Sequence, residues 1–289
     1  MRLNKGLMIS AIALASVFTL SACTDSGAKP SAAPVEAAPK FDAGTTMARL
    51  SDAGKITIGT KFDQPLFGLK GPDGTPVGFD VEIGKLIASK LGIEATNIEW
   101  VETVSANREP FIQNGQVDLV VATYTINDTR KQVVSFAGPY YEAGQDLLVL
   151  AGNPGKIKGP EDLAGKPVCT VSGSTSEKNI AAYTDNIIAT DTYSNCLGPL
   201  RSGEVAAVTT DNVILAGLAD QNKGEFEVVD KPFTKEPYGI GLKKDDTAFR
   251  GFINDVLEKS FADGSWAAAW DATAGKVLAT PKPPAVDRY

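Results

Sequence analysis

Histidine is absent from all 289 residues, and cysteine occurs only three times. The first absence removes Ser-His-Asp and Cys-His catalysis together with most zinc sites, and three thiols make a metal cluster implausible. Positive charge is also in deficit: the formal net charge is −7, and it becomes −9 once the first 22 residues leave with Arg2 and Lys5. Nucleic acid is therefore not expected as a partner. No phosphate-binding loop of the Walker type occurs, so ATP hydrolysis is expected elsewhere. No catalytic residue, cofactor or metal is assigned. What is present is a chain 43% apolar and 8% aromatic, rich enough for real cores and long enough for one large or two ordinary domains.

Arg2 and Lys5 precede an apolar run from Leu7 to Leu20, too short to span a bilayer comfortably, which reads as an export signal over residues 1–22. Leu20-Ser21-Ala22-Cys23 resembles a bacterial lipoprotein box, in which Cys23 would carry lipid and become the first mature residue; an ordinary cleavage site that ends in Cys is the other reading. The Ala-, Pro- and Ser-rich stretch 23–43 has no apolar periodicity and is expected to be a disordered tether. In an oxidising compartment Cys169 and Cys196 are expected to pair rather than stay as two buried thiols. Closing that loop contributes roughly 3–4 kcal/mol in the chain-entropy model.

Beyond the tether, Ile56–Thr60 reads as a first strand, and Asp80 is placed to cap a helix whose Ile83, Leu86, Ile87 and Leu91 share a face. Ile98–Val101 and Asp118–Ala122 read as further strands with a short Gly-closed helix between them. A second α/β unit begins near Ala151, with strands at 166–171, 205–209 and 226–229 and helices at 174–183 and 211–219. Alternating strands and helices predict parallel α/β layers. Phe249, Phe252, Ile253 and Leu257 mark a C-terminal helix that returns to the first lobe, and Trp266 and Trp270, at i, i+4 spacing, are expected in packing rather than ligand stacking.

The most informative stretch runs from Ser105 to Arg130, SANREPFIQNGQVDLVVATYTINDTR. It places an arginine near each end of one compact unit. Thr123 and Thr125 end its strand in hydroxyls, and Arg130 falls in the first turn of the next helix, where free N–H groups also favour an anion. In Val171-Ser172-Gly173-Ser174-Thr175-Ser176 a glycine turn runs into a helix, which either caps that helix or offers hydroxyls and N–H groups to a carboxylate. Asp211 ends a strand and starts a helix, so capping is its plain reading.

These motifs resemble the amino-acid-binding members of the extracytoplasmic solute-binding proteins that serve ABC transporters, from about Lys55 to about Trp270; V-C-T-V-S-G-S-T-S and D-T-Y-S-N-C resemble actinobacterial glutamate-binding lipoproteins. The resemblance implies an α/β fold of the periplasmic-binding-protein-like type II, two α/β lobes joined by a two-strand hinge with the ligand cleft between them. It supports the Cys169–Cys196 bridge. It implies that Arg130, with Thr123 and Thr125, binds a ligand α-carboxylate, that Ser174 and Thr175 add donors, and that Asp211 pairs with the ammonium. Arg108 is the main selector for an acidic side chain, against a surface ion pair with Glu102 or Glu109. Lys61 is a helper or a solvated lysine, and Tyr193 stands near a position held by histidine in certain acidic-amino-acid binders.

Lobe 1 is expected over 44–146, lobe 2 over 147–235, a return to lobe 1 over 236–276 and a Pro-rich tail over 277–289. The implied activity is capture of glutamate, aspartate or their amides for an ABC permease, by a monomer held outside the cytoplasm on the membrane through its N-terminal lipid. A sensory module reporting to a signalling partner and a cyclohexadienyl-dehydratase-like enzyme on the same fold are the alternatives.

Overall fold

A computed structural model describes residues 40–289, and two five-stranded sheets organise them. The expected signal segment, the lipid site Cys23 and most of the tether lie outside the described residues. The tether ends sooner than residue 43, because Phe41 packs edge-on against Phe252 with ring centres 5.5 Å apart. Among the described residues no helix is long and apolar enough to cross a membrane.

The chain opens with α1 (Thr46–Ala53) and β1 (Ile56–Thr60), followed by a small antiparallel sheet of β2 (Asp63–Gln64), β3 (Gly68–Lys70) and β4 (Pro76–Val77). Next come α2 (Phe79–Lys90), β5 (Ile98–Glu102), α3 (Arg108–Gln113), β6 (Leu119–Thr125), α4 (Asp128–Lys131) and β7 (Ser135–Ala143). The second sheet collects β8 (Gln145–Leu150), β9 (Val168–Val171), β10 (Ile187–Thr190), β11 (Ala207–Asp211) and β12 (Phe226–Val228). Between its strands lie α5 (Thr175–Ile180), α6 (Leu197–Ser202) and α7 (Asn212–Gln221). Strand β13 (Glu236–Leu242) then rejoins the first sheet ahead of α8 (Thr247–Asp263) and α9 (Ser265–Ala272).

The first sheet has the order β5-β1-β6-β13-β7 and the second β10-β9-β11-β8-β12. Neither is wholly parallel, which corrects the sequence expectation. Strands β1, β5 and β6 run parallel, as do β9, β10 and β11, whereas β13 is antiparallel to β6 and β7, and β8 is antiparallel to β11 and β12. The reason is connectivity. The one residue Gly144 links β7 to β8, so β8 leads away from the junction, whereas its neighbour β11 ends there, with Asp211 opposite Gln145. The two linkers lie side by side: Phe233 donates its N–H to Gln145 O at 2.9 Å. A Cβ on Gly144 would stand 2.8 Å from both Pro232 and Thr234 O.

Every residue of β6 is buried, as expected of a central strand covered on both faces. On one face α2 inserts Phe79, Ile83 and Ile87, and Trp266 and Trp270 of α9 stack on each other at 6.0 Å and meet Phe79 at 5.5 and 5.1 Å. Trp266 donates to Tyr140 O at 2.9 Å, so both tryptophans belong to the core. Burying each such ring contributes on the order of 2–3 kcal/mol. In the second lobe a disulfide joins Cys169 of β9 to Cys196 of the 3₁₀ turn Tyr193–Cys196, with Cα atoms 5.6 Å apart. The C-terminal residues lie along the outer edge of β7: Asp287 donates its N–H to Gly138 O, and Tyr289 Oη accepts from Phe136 N, each at 2.8 Å. Arg288 fastens this strap to Asp255 and Glu258 of α8.

Candidate functional site

The first lobe builds its side of the site at the C-terminal end of β6. Thr123 adopts a positive φ of 44°, uncommon for a β-branched residue, and the turn is held because its N–H donates to Asp80 Oδ2 at 2.7 Å. Asp80 also accepts from Tyr140 Oη at 2.6 Å. It does not cap α2, whose N-cap is Gly78. The carboxylate is instead turned inward, where burial pushes its pKa up to about 7 despite both hydrogen bonds and the charge of Lys61. The Thr123 hydroxyl donates to Gln64 Oε1 at 2.9 Å, and Thr125 is buried two residues on.

Arg108 is 3% exposed and forms no surface ion pair among the described residues. Its Nε donates to Ser105 O at 3.3 Å, and its Nη1 to Ala122 O and Thr123 O at 3.2 and 3.3 Å. Glu109 pairs with Arg130 instead, at 3.1 Å. The guanidinium carbons of Arg108 and Arg130 lie 4.3 and 4.9 Å from the centre of one ring, Tyr124, so the two cationic heads share one neighbourhood. Arg130 also donates to Thr125 O at 2.7 Å. Burial, then the charge of Arg108, brings its pKa down to about 10. Lys61 completes the group: it is 2% exposed and donates to Ser105 Oγ at 2.9 Å. Burial and then Arg108 lower its pKa to about 7. Three buried cations, with burial and Arg108 lowering the pKa of both Lys61 and Arg130, make a strong electrostatic trap for an anion.

Facing them, the second lobe presents the turn before α5. Ser174 caps that helix, its Oγ accepting from Glu177 N at 2.9 Å, which leaves the hydroxyl hydrogen free to donate elsewhere. Thr175, the first helical residue, is half-buried. Asp211 stands at the start of α7 without capping it. Its Oδ2 accepts from Tyr238 Oη at 2.6 Å, while Oδ1 is buried with no partner among the described residues. Burial and the nearby Glu236 push the Asp211 pKa up to about 7. The Tyr193 hydroxyl lies among Ser174, Ser176 and Thr210, in the second-lobe wall.

The lobes touch at several places around this site. Arg130 Nη2 donates to Gly173 O at 3.3 Å, and Tyr193 N to Asp63 Oδ2 at 3.0 Å. A Cβ on Gly173 would stand 2.9 Å from Ala106 Cα, and one on Gly217 only 2.6 Å from Pro65 O. Lys61, Arg108, Thr123, Thr125 and Arg130 thus gather in the first lobe and Ser174, Thr175, Tyr193 and Asp211 in the second, with Arg130 bonded across to Gly173. Sequence reasoning missed Gln64, Tyr124, Glu236 and Tyr238, and read Asp80 only as a cap. None of these carries a signal that a single sequence exposes.

A sequence model of the bacterial extracellular solute-binding proteins, family 3, matches residues 56–272. A glutamate-binding protein of Corynebacterium efficiens is 40% identical over 269 residues, 89% of this chain and 86% of that protein. The ABC transporter glutamine-binding protein of Bacillus subtilis is also 40% identical, over 91% of this chain and 95% of its own. Among solved structures, an ancestral arginine-binding protein bound to glutamine superposes with a TM-score of 0.70 at 36% identity, covering 76% of this chain and 97% of that one.

Proposed function

Because the chain belongs to the bacterial extracellular solute-binding proteins, family 3, we propose that it captures an acidic amino acid between its lobes and delivers it to the membrane permease of an ABC importer. The observation that carries this reading is the burial of Lys61, Arg108 and Arg130 in one region, opposite the buried Asp211. Arg130 takes the α-carboxylate, helped by the hydroxyls of Thr123, Thr125, Ser174 and Thr175. Asp211, with one unbonded oxygen, takes the ammonium. Arg108 and Lys61 take the side-chain carboxylate, and Tyr193 braces the second wall. Each arginine already gives three of its five N–H groups to protein acceptors, so Arg108 keeps the two of its Nη2, and Arg130 one on each Nη, for a carboxylate.

Mechanism follows from dividing these contacts between lobes. A ligand that touches both walls binds the closed form better than the open one and shifts the population toward closure. Water leaves, and each charged contact strengthens in the drier interior. Export and a lipid on Cys23 keep the monomer close to its permease; no step of catalysis is assigned.

Glutamine is the second reading, supported by the name of the Bacillus subtilis relative. Its amide would bring an N–H₂ donor toward Arg108 and Lys61, which are themselves donors, so the acid is favoured. A thermal-shift panel over the common amino acids tests both, since saturation at about 100 Kd stabilises by ~2.7 kcal/mol. Glutamate or aspartate is expected to give the largest shift, and Arg130→Ala to abolish every response. A larger shift with glutamine overturns the acidic reading.

A further inference from the structure

Gln64 lies in the short strand β2, beside Asp63, whose carboxylate accepts the N–H of Tyr193 from the second lobe at 3.0 Å. Its side chain is 1% exposed. Oε1 receives the Thr123 hydroxyl at 2.9 Å, and Nε2 is left buried without a partner among the described residues. A buried N–H₂ with nothing to bond is costly, and native proteins keep such groups mainly where something else completes them.

The surroundings say what that something is. One run of hydrogen bonds connects Gln64 to Thr123, Thr123 O to Arg108 Nη1 at 3.3 Å, Arg108 Nε to Ser105 O at 3.3 Å, and Ser105 Oγ to Lys61 Nζ at 2.9 Å. Gln64, Arg108 and Lys61 each carry N–H groups, and Thr123 and Ser105 tie the three together. We propose that Gln64 is a specificity-determining residue, donating from its amide N–H₂ to the distal carboxylate of the ligand beside Arg108 and Lys61. This rests on the acidic-ligand reading of the site. It deepens that reading by making the side-chain end of the cleft a set of donors, so that a terminal carboxylate meets three partners while a terminal amide must turn its own N–H₂ toward one of them.

Gln64→Glu is isosteric and replaces the donor with an acceptor, and Gln64→Met keeps the length with neither. Calorimetric titration of both variants and the unmodified protein with glutamate and glutamine gives the test. Gln64→Glu is expected to weaken glutamate at least tenfold while leaving glutamine unchanged or tighter, and Gln64→Met to weaken glutamate more than glutamine. Parallel loss of both ligands, or an unchanged ratio of affinities, overturns the assignment. The two readings fail differently: an unmodified protein that prefers glutamine ends the acidic reading, whereas an unmodified protein that prefers glutamate with an unaltered ratio in both variants ends only the role of Gln64.

Discussion

Replacing Gly217 by alanine separates closure from folding. In the interior of α7 alanine is the better helix former by about 1 kcal/mol, so the substitution alone favours the folded chain. The nearest atoms to the added Cβ are all in the first lobe: Pro65 O at 2.6 Å, Pro65 C at 3.1 Å and Leu66 Cγ at 3.2 Å. Ordinary contact begins at 3.4 Å, so the turn between β2 and β3 must retreat by about 0.8 Å from its present place. Overpacking of this kind costs ~1–3 kcal/mol, charged only to the conformation in which the lobes meet. Ligand affinity is then expected to fall about 5- to 150-fold, with the ligand-free melting temperature unchanged or slightly raised. Differential scanning fluorimetry without ligand and calorimetric titration with glutamate read the two quantities separately. Unchanged affinity, or a ligand-free protein destabilised as much as binding is weakened, would refute the coupling of Gly217 to closure.

Affinity for an acidic amino acid should peak near pH 7. Lys61, held down to about 7 by burial and Arg108, is raised by a ligand carboxylate, so its contribution is complete below that pH and fades above it. Asp211, pushed up to about 7 by burial and Glu236, is lowered by the ligand ammonium, so its contribution is complete above that pH and fades below it. Each limb should approach tenfold per pH unit, and Lys61→Met should flatten the alkaline one in titrations from about pH 5.5 to about 8.5; an alkaline limb unaltered in the variant removes Lys61 from the account. Breaking the Cys169–Cys196 bridge, which spans 27 residues, should lower stability by roughly 3–4 kcal/mol and the melting temperature by on the order of 10 °C. A melt indifferent to reductant would contradict this.

Much of the fold could be read from the chain because apolar runs such as Leu119–Ala122 and the face of Ile83 and Ile87 obey simple periods. Strand β7 escaped notice because Gly138-Pro139 interrupts its pattern, and β2 to β4 are too short to carry one. Asp80 looks like a helix cap in one dimension. Its real partners, Thr123 and Tyr140, are 43 and 60 residues away, a separation over which local pattern is silent. The same holds for Glu109, which prefers Arg130 to its neighbour Arg108 once β6 and α4 bring the former close. Arg108 is legible through its motif, and Lys61 only through its place in the loop after the first strand. Their burial, and the lowering of the Lys61 pKa by Arg108, emerge only from packing.

The strap along β7 has a consequence for how many copies of this protein can coexist. A terminal strand with bare amides and carbonyls invites the matching edge of a neighbour, and the result is an open-ended stack of sheets. By occupying Gly138 O and Phe136 N and clamping itself down through Arg288, the last stretch of chain denies that docking strip to other molecules. Along β7, at least, crowded molecules find no free ladder to extend.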